Sequence, residues 1–305
     1  MELWYEGVDI TGDVQIVSAA GRDVAGGRSD SLELLLENAK DWYSWKPERD
    51  DRIRLVCDEY STGEMYINAI APEGDRFRIL ATAAKSAAGR KGYASFEGKT
   101  LEDIMGICAA ECAMEWRLYG LDGRIAYPYL ERNGCGCAAF LNDIAQWEGA
   151  VLKTYSGRFT MIGVAEAQRL MATETIRIDA NQAGFGYLRN EQERIRNLTV
   201  LTPYARVTAT DEGAEIGSEI TVCTLPAKDT ATAGRWAKGL LLGRNRRYEQ
   251  MTLETEFRPN WTAMARIDVE GDTDANGKWM IDEVRHDFVN RTSRVTLVRC
   301  VETVK

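Results

Sequence analysis

Residues 129–163, YLERNGCGCAAFLNDIAQWEGAVLKTYSGRFTMIG, decide how the rest of the chain reads. From Cys137 the apolar residues Phe140, Leu141, Ile144 and Ala145 recur at i+3, i+4, i+7 and i+8, the stripe of an amphipathic helix. The residues before them read as a loop. Gly149 falls where a helix ends in a left-handed residue. Ala150 to Tyr155 then alternates as a strand, Ser156-Gly157 is a turn, and Arg158 to Ile162 is the returning partner. One helix and a tight hairpin therefore stand between two stretches that read as β.

Working outward toward the N-terminus, Leu32, Leu34 and Leu36 alternate with Ser31, Glu33 and Leu35, and Ile53, Leu55 and Cys57 alternate with Arg52, Arg54 and Val56. Each pattern is that of a half-buried strand. Tyr66 to Ile70 and Arg76 to Ala81 continue it, with a turn at Pro72 to Asp75. Trp42, Trp45 and Pro47 make an aromatic loop expected to plug one end of a barrel. Short strands with frequent turns predict a small closed or nearly closed barrel. Lys85 to Lys91 is small, polar and basic, and reads as a linker. After it, Thr100 and Asp103 start a helix striped by Leu101, Ile104, Met105, Cys108 and Cys112.

Toward the C-terminus the chain returns to β, with Ile176 and Ile178 alternating. Further strands are expected at Thr199 to Thr208, Glu219 to Thr224, Met251 to Phe257, Ala263 to Val269, Lys278 to Asp287 and Arg294 to Val301. One helix interrupts them, capped by Asp229, with Ala233, Trp236, Ala237, Leu240 and Leu241 on one face and Gly243 at its end. The expected fold class is mainly β with an α+β insert: two small β-barrel domains, residues 1–92 and 173–305, flanking a central α+β module at 93–172.

With 305 residues, 45% of them hydrophobic, the chain can bury a sizeable core. Its formal charge is −9, with the acidic excess mostly in the front half, so sequence-specific nucleic-acid binding is not expected. The one basic cluster, Arg244, Arg246, Arg247 with Tyr248, reads as a solvated turn after a helix. No apolar run approaches the roughly 18 residues of a membrane helix, and no basic leader opens the sequence. A soluble protein made in the cytoplasm is expected, with its seven cysteines reduced.

Four constellations bear on chemistry. Asp272, Asp274, Asn276 and Glu283, with Gly277, match the calcium-loop pattern in full, yet Asn276-Gly277 between alternating segments reads first as a hairpin turn. Cys108, Cys112, Cys135 and Cys137 have spacings open to zinc or an iron–sulfur cluster, but Cys108, Cys112 and Cys137 lie on apolar stripes and read as core. His286, the sole histidine, sits among strand residues and reads as packed. The 47 acids guarantee paired carboxylates somewhere without placing any pair in a cleft. There is no P-loop, Rossmann fingerprint, GxSxG or HExxH. No catalytic residue, metal or cofactor is assigned.

The sequence from the FLNDIA helix through WEGAVLKTYSGRFTMIG resembles the central module of the phage late control D family, the baseplate hub proteins of contractile tails. Three further segments carry the resemblance in the same order: SDSLELLLENAKDWYSWKPERDDRIRL, FEGKTLEDIMGICAAECAMEW and GKWMIDEVRHDFVNRTSRVTLV. The resemblance implies barrels like those of tail-tube subunits and assembly as a trimer. It also implies a place in a tail baseplate between the tail tube protein and the central spike protein, beside other baseplate or tape-measure components, with no membrane insertion. Leu35, which makes both faces of its strand apolar, is then expected at a subunit contact. The competing classes are a tail-tip cell-wall glycosidase and a calcium-dependent carbohydrate-binding module built on Asp272 to Glu283.

Overall fold

The computed structural model describes residues 1–38, 44–179, 183–214, 218–271 and 274–301. Helix α1, Leu101–Glu111, starts at a reciprocal capping box in which Thr100 and Asp103 each accept the other's backbone amide. Its stripe of Leu101, Ile104, Met105 and Cys108 is buried, and Cys112 is the C-cap. Helix α2, Cys137–Trp147, buries Phe140, Leu141, Ile144 and Ala145. Gly149, at φ +67°, then turns the chain left-handed straight into the strand Ala150–Tyr155. That strand pairs with Arg158–Gly163 through a two-residue turn whose residues, Ser156 and Gly157, both have positive φ.

The residues before α2 are not a loop. Ala126–Cys135 is a strand antiparallel to Gly92–Thr100, with Tyr127, Leu130 and Arg132 facing inward. Pro128, Glu131 and Gly134 break the apolar alternation that would have marked it. Glu115–Tyr119 adds a parallel strand beside Arg158–Gly163. Lys85 to Lys91 is likewise no free linker: Ser86–Gly89 forms a 3-10 turn with Ala88 buried, and the Ser86 amide donates to Asp50 Oδ1 at 2.8 Å. The run from Thr199 to Thr208 divides into two antiparallel strands, Ile195–Leu201 and Arg206–Thr210.

A short helix, α3 (Val164–Ala167), follows the hairpin, and α4 spans Thr230–Asn245. The Asp229 side chain caps α4 through the Thr232 amide at 2.7 Å. Gly243 does not end it. The helix continues to Asn245, whose buried side chain accepts from the Ile195 amide at 2.9 Å and donates to the Ile195 carbonyl at 2.7 Å. One hydrophobic cluster unites Leu101, Ile104, Phe140, Leu141 and Ile144 with Leu198, Val200, Trp236 and Leu241. The helix expected within the C-terminal barrel packs instead on the central module, together with the strands Ile195–Leu201, Arg206–Thr210 and Ser218–Val222.

The remaining strands form two barrel-like sheets on one continuous path. In the first, Ile16–Val24, Ser31–Leu36, Arg76–Thr82, Met65–Glu73, Arg52–Cys57 and Glu2–Tyr5 follow one another around a core of Leu32, Leu34, Leu36, Ile53, Leu55, Phe77 and Ile79. In the second, Gly277–Asp287 lies between Thr292–Arg299 and Arg266–Gly271, with Glu249–Glu256 beyond and Trp261, Trp279 and Ile281 inside. The two meet where Ala20 to Val24 pair antiparallel with Glu283 to Asp287. Trp42 lies outside the described residues. Trp45 is not a plug: it rests 6.1 Å from the Tyr5 ring with 37% of its surface exposed. Leu35, opposite Ser18 and Arg78, is itself only 9% exposed, covered within its own chain, while Ser31 and Glu33 on the same face of the strand are half-buried.

Candidate functional site

The junction between the first barrel and the central hairpin holds a buried ionic triad. Asp23 ends on the strand Ile16–Val24, Asp30 precedes Ser31–Leu36, and Lys153 projects from Ala150–Tyr155. The Lys153 ammonium bonds Asp23 and lies 2.8 Å from Asp30 Oδ2, with side-chain exposures of 13%, 6% and 3%. Asp30 Oδ1 also accepts the Val24 amide at 3.1 Å. Burial pushes the Asp30 carboxyl from 3.8 up to about 7, helped by Asp23 and opposed by Lys153. Burial works against the Lys153 ammonium, but Asp23 and Asp30 together hold it above its usual range. The trace of this in the sequence is a lysine inside the apolar strand AVLKTY.

A raised carboxyl makes stability depend on pH. The folded chain retains a proton on Asp30 that the unfolded chain releases, so this contribution is complete below 3.8 and lost as pH rises through about 7. Asp30→Asn is therefore expected to gain on wild type by about 4 kcal/mol between pH 4 and pH 8. Urea denaturation of both proteins at each pH measures it, and equal slopes for the two would reject the assignment.

The other candidates have structural occupations. His286 is fully buried, its Nε2 3.1 Å from the Trp261 carbonyl and its Nδ1 2.9 Å from Ser293 Oγ. A carbonyl only accepts, so Nε2 carries the proton and Nδ1 accepts from the serine hydroxyl. Burial, with Tyr60 and Phe257 packed on the ring, lowers its pKa and keeps it neutral. Arg246 does not lie in a solvated turn: its side chain is 3% exposed and bonds Asp282, which Arg247 shares at 3.1 Å. Cys108, Cys112 and Cys137 are all buried, and Cys137 Sγ contacts the Arg132 guanidinium.

Among the described residues, the calcium pattern is not brought together. Asp272 lies outside the described residues. Asp274 and Asn276 turn their backbone carbonyls to the Arg299 guanidinium, Asp274 at 2.8 Å, so a cation already occupies the turn. Glu283 sits six residues along the strand from Gly277, about 20 Å away at 3.3 Å per residue, and pairs with Arg22 at 2.7 Å.

Three clefts open nearby, and among the described residues the buried carboxylates that line them are engaged by arginines. In one of 430 Å³, between the end of α2 and α4, Glu148 binds Arg235 at 3.2 Å and Trp236 Nε1 at 2.8 Å. In another of 440 Å³, Asp211 binds Arg194 at 3.1 Å, and Glu249 is held by Arg299 and Tyr187. The largest, 640 Å³, has Glu193 among Arg244, Arg246 and Arg247. Asp23 and Asp30 line none of the three.

No protein-family model and no curated protein matches the chain. Solved structures do share its fold, and that fold is one found in phage tail proteins. The tail protein from Neisseria meningitidis MC58 superposes with a TM-score of 0.76 at 12% identity, over 98% of this chain and 95% of its own. The 43 kDa tail protein of prophage MuSo2 from Shewanella oneidensis gives 0.74 at 12% identity, over 98% of both chains. The E. coli c3393 protein gives 0.63 at 10% identity, over 98% of this chain and 76% of its own. It is described as a component of the type VI secretion system, with structural similarity to the T4 bacteriophage tail proteins gp27 and gp5.

Proposed function

We propose that this chain is a non-enzymatic structural subunit of a contractile phage or phage-like tail, acting in the baseplate as the hub that joins the tail tube to the central spike. The observation that carries the reading is the architecture itself, two barrel-like sheets continuous through one strand pair and braced by a central α+β module, shared over 98% of the chain with tail proteins. Three copies, each contributing two barrels, would offer six similar faces to a sixfold tube. Open sheet edges suit such a ring. Among the described residues nothing pairs with Met65–Glu73 beyond Ile67 on its Arg52–Cys57 side, where Ala69 to Glu73 continue as strand.

The glycosidase alternative needs one carboxyl that keeps its proton beside another that does not, both facing a cleft. The buried cleft carboxylates are instead each engaged by an arginine. Coexpression with the tube and spike proteins of the same gene cluster, followed by electron microscopy, tests the hub assignment. Three copies per particle at the tube–spike junction are expected. A particle that assembles fully without this chain, or peptidoglycan cleavage by the purified protein, would overturn it.

A further inference from the structure

The 640 Å³ cleft lies where the loop after Ile16–Val24, helix α2 and the end of α4 meet. Its walls are fixed without a ligand. The Gly27 amide donates to Asn142 Oδ1 on α2 at 3.0 Å, and Asn245, the last residue of α4, holds both main-chain groups of Ile195. Val151, Ile195 and Leu240 give the cleft an apolar side, and Arg244, Arg246 and Arg247 a cationic one. Among the described residues Glu193 is the only acid that lines it.

The three arginines differ in what they already hold. Arg247 shares Asp282 with Arg246. Exposed Arg244 has no ionic partner among the described residues. Arg246, its side chain 3% exposed, gives Nη2 to Asp282, yet its buried Nε–H has no acceptor among the described residues. The same is true of the Nε atoms of Arg22 and Arg132, but neither of those residues lines any of the three clefts. Burial holds the Arg246 guanidinium below its usual range; Asp282 opposes this and Arg247 reinforces it. A helix end accounts for Arg244, because the last turn favours a cation. It does not account for a buried donor without an acceptor, which is costly where water is excluded.

We propose that this cleft binds a small organic anion, its phosphate or carboxylate oxygens taken by Arg244, Arg247 and the Arg246 Nε–H, and its apolar part laid against Val151, Ile195 and Leu240. The guanidinium fork matches the oxygens of both groups, and the volume is in the range of small-molecule sites. The carbonyl end of α4 disfavours an anion, but by less than a charge-assisted bond to arginine favours it. The site lies within one chain and does not depend on the baseplate reading.

The test titrates the nitrogen-15-labelled chain with phenyl phosphate, phenylacetate and inorganic phosphate, following the arginine Nε–H signals. Phenyl phosphate or phenylacetate should bind with a Kd on the order of 0.1–1 mM, and the tighter of the two tells a phosphate site from a carboxylate site. Inorganic phosphate reaches the arginines but not the apolar side, and should bind at least about tenfold more weakly than phenyl phosphate. The Arg246 Nε–H signal should move as the organic anion binds. Arg244→Gln changes an exposed side chain without an ionic partner, so it should leave the melting temperature unchanged and weaken binding by about tenfold. Binding that Arg244→Gln leaves untouched, an Arg246 Nε–H signal that stays in place, or no binding of either organic anion up to about 10 mM overturns the proposal.

Discussion

Lys153→Met is expected to destabilise the folded chain by about 3–5 kcal/mol, a large part of the roughly 5–15 kcal/mol that holds a typical domain together. Methionine matches the lysine stem in volume, so the loss is one of charge. It leaves Asp23 and Asp30 facing each other at 6% and 3% side-chain exposure with no cation between them. Protonation of Asp30 relieves part of the cost, because that carboxyl already holds its proton up to about 7. The loss should therefore be smaller at pH 5 than at pH 8. Urea denaturation followed by tryptophan fluorescence reads it directly. A loss below about 1 kcal/mol at pH 8 would mean that water reaches the triad and screens it.

Gly239→Ala sets two effects of opposite sign against each other. In an exposed helix interior, alanine in place of glycine gains about 1 kcal/mol. Here a Cβ would stand 2.1 Å from the Trp147 carbonyl oxygen and 2.4 Å from the Gly149 amide nitrogen, both backbone atoms at the end of α2. No rotamer relieves a clash with backbone, so α4 must move off α2 and take with it the packing of Trp236 on Trp147, whose rings lie 4.8 Å apart. A net loss of about 3 kcal/mol is expected, against a gain if propensity ruled. A melting temperature that rises in this variant would show that the two helices do not touch through glycine in solution.

Local rules made part of this fold legible. The stripes of α1 and α2, the Thr100 and Asp229 caps, Gly149 as helix terminator and the Ser156-Gly157 turn all follow from periods and residue types within one or two turns of chain. What escaped depends on distant partners. The strand Ala126–Cys135 carries a proline and two charges, and is a strand because Gly92–Thr100 supplies its hydrogen bonds. The end of α4 is set at Asn245 by a backbone 50 residues away, and Gly243 is left inside the helix. The Asp23–Lys153–Asp30 triad joins positions 123 to 130 residues apart, and no spacing rule reaches that far. Leu35 was legible as buried on both faces, but its cover comes from its own chain.

The pairing of Ala20–Val24 with Glu283–Asp287 also sets a schedule for synthesis. Arg22 meets Glu283 across 261 residues of sequence. At roughly 5–20 residues per second, a ribosome takes about 15–50 s to deliver the partner strand after Ile16–Val24 has emerged. Throughout that interval the first barrel has most of its core residues but an unclosed side. Nascent chains on neighbouring ribosomes of one message carry the same open edge, so pairing between copies competes with closure until Glu283–Asp287 arrives.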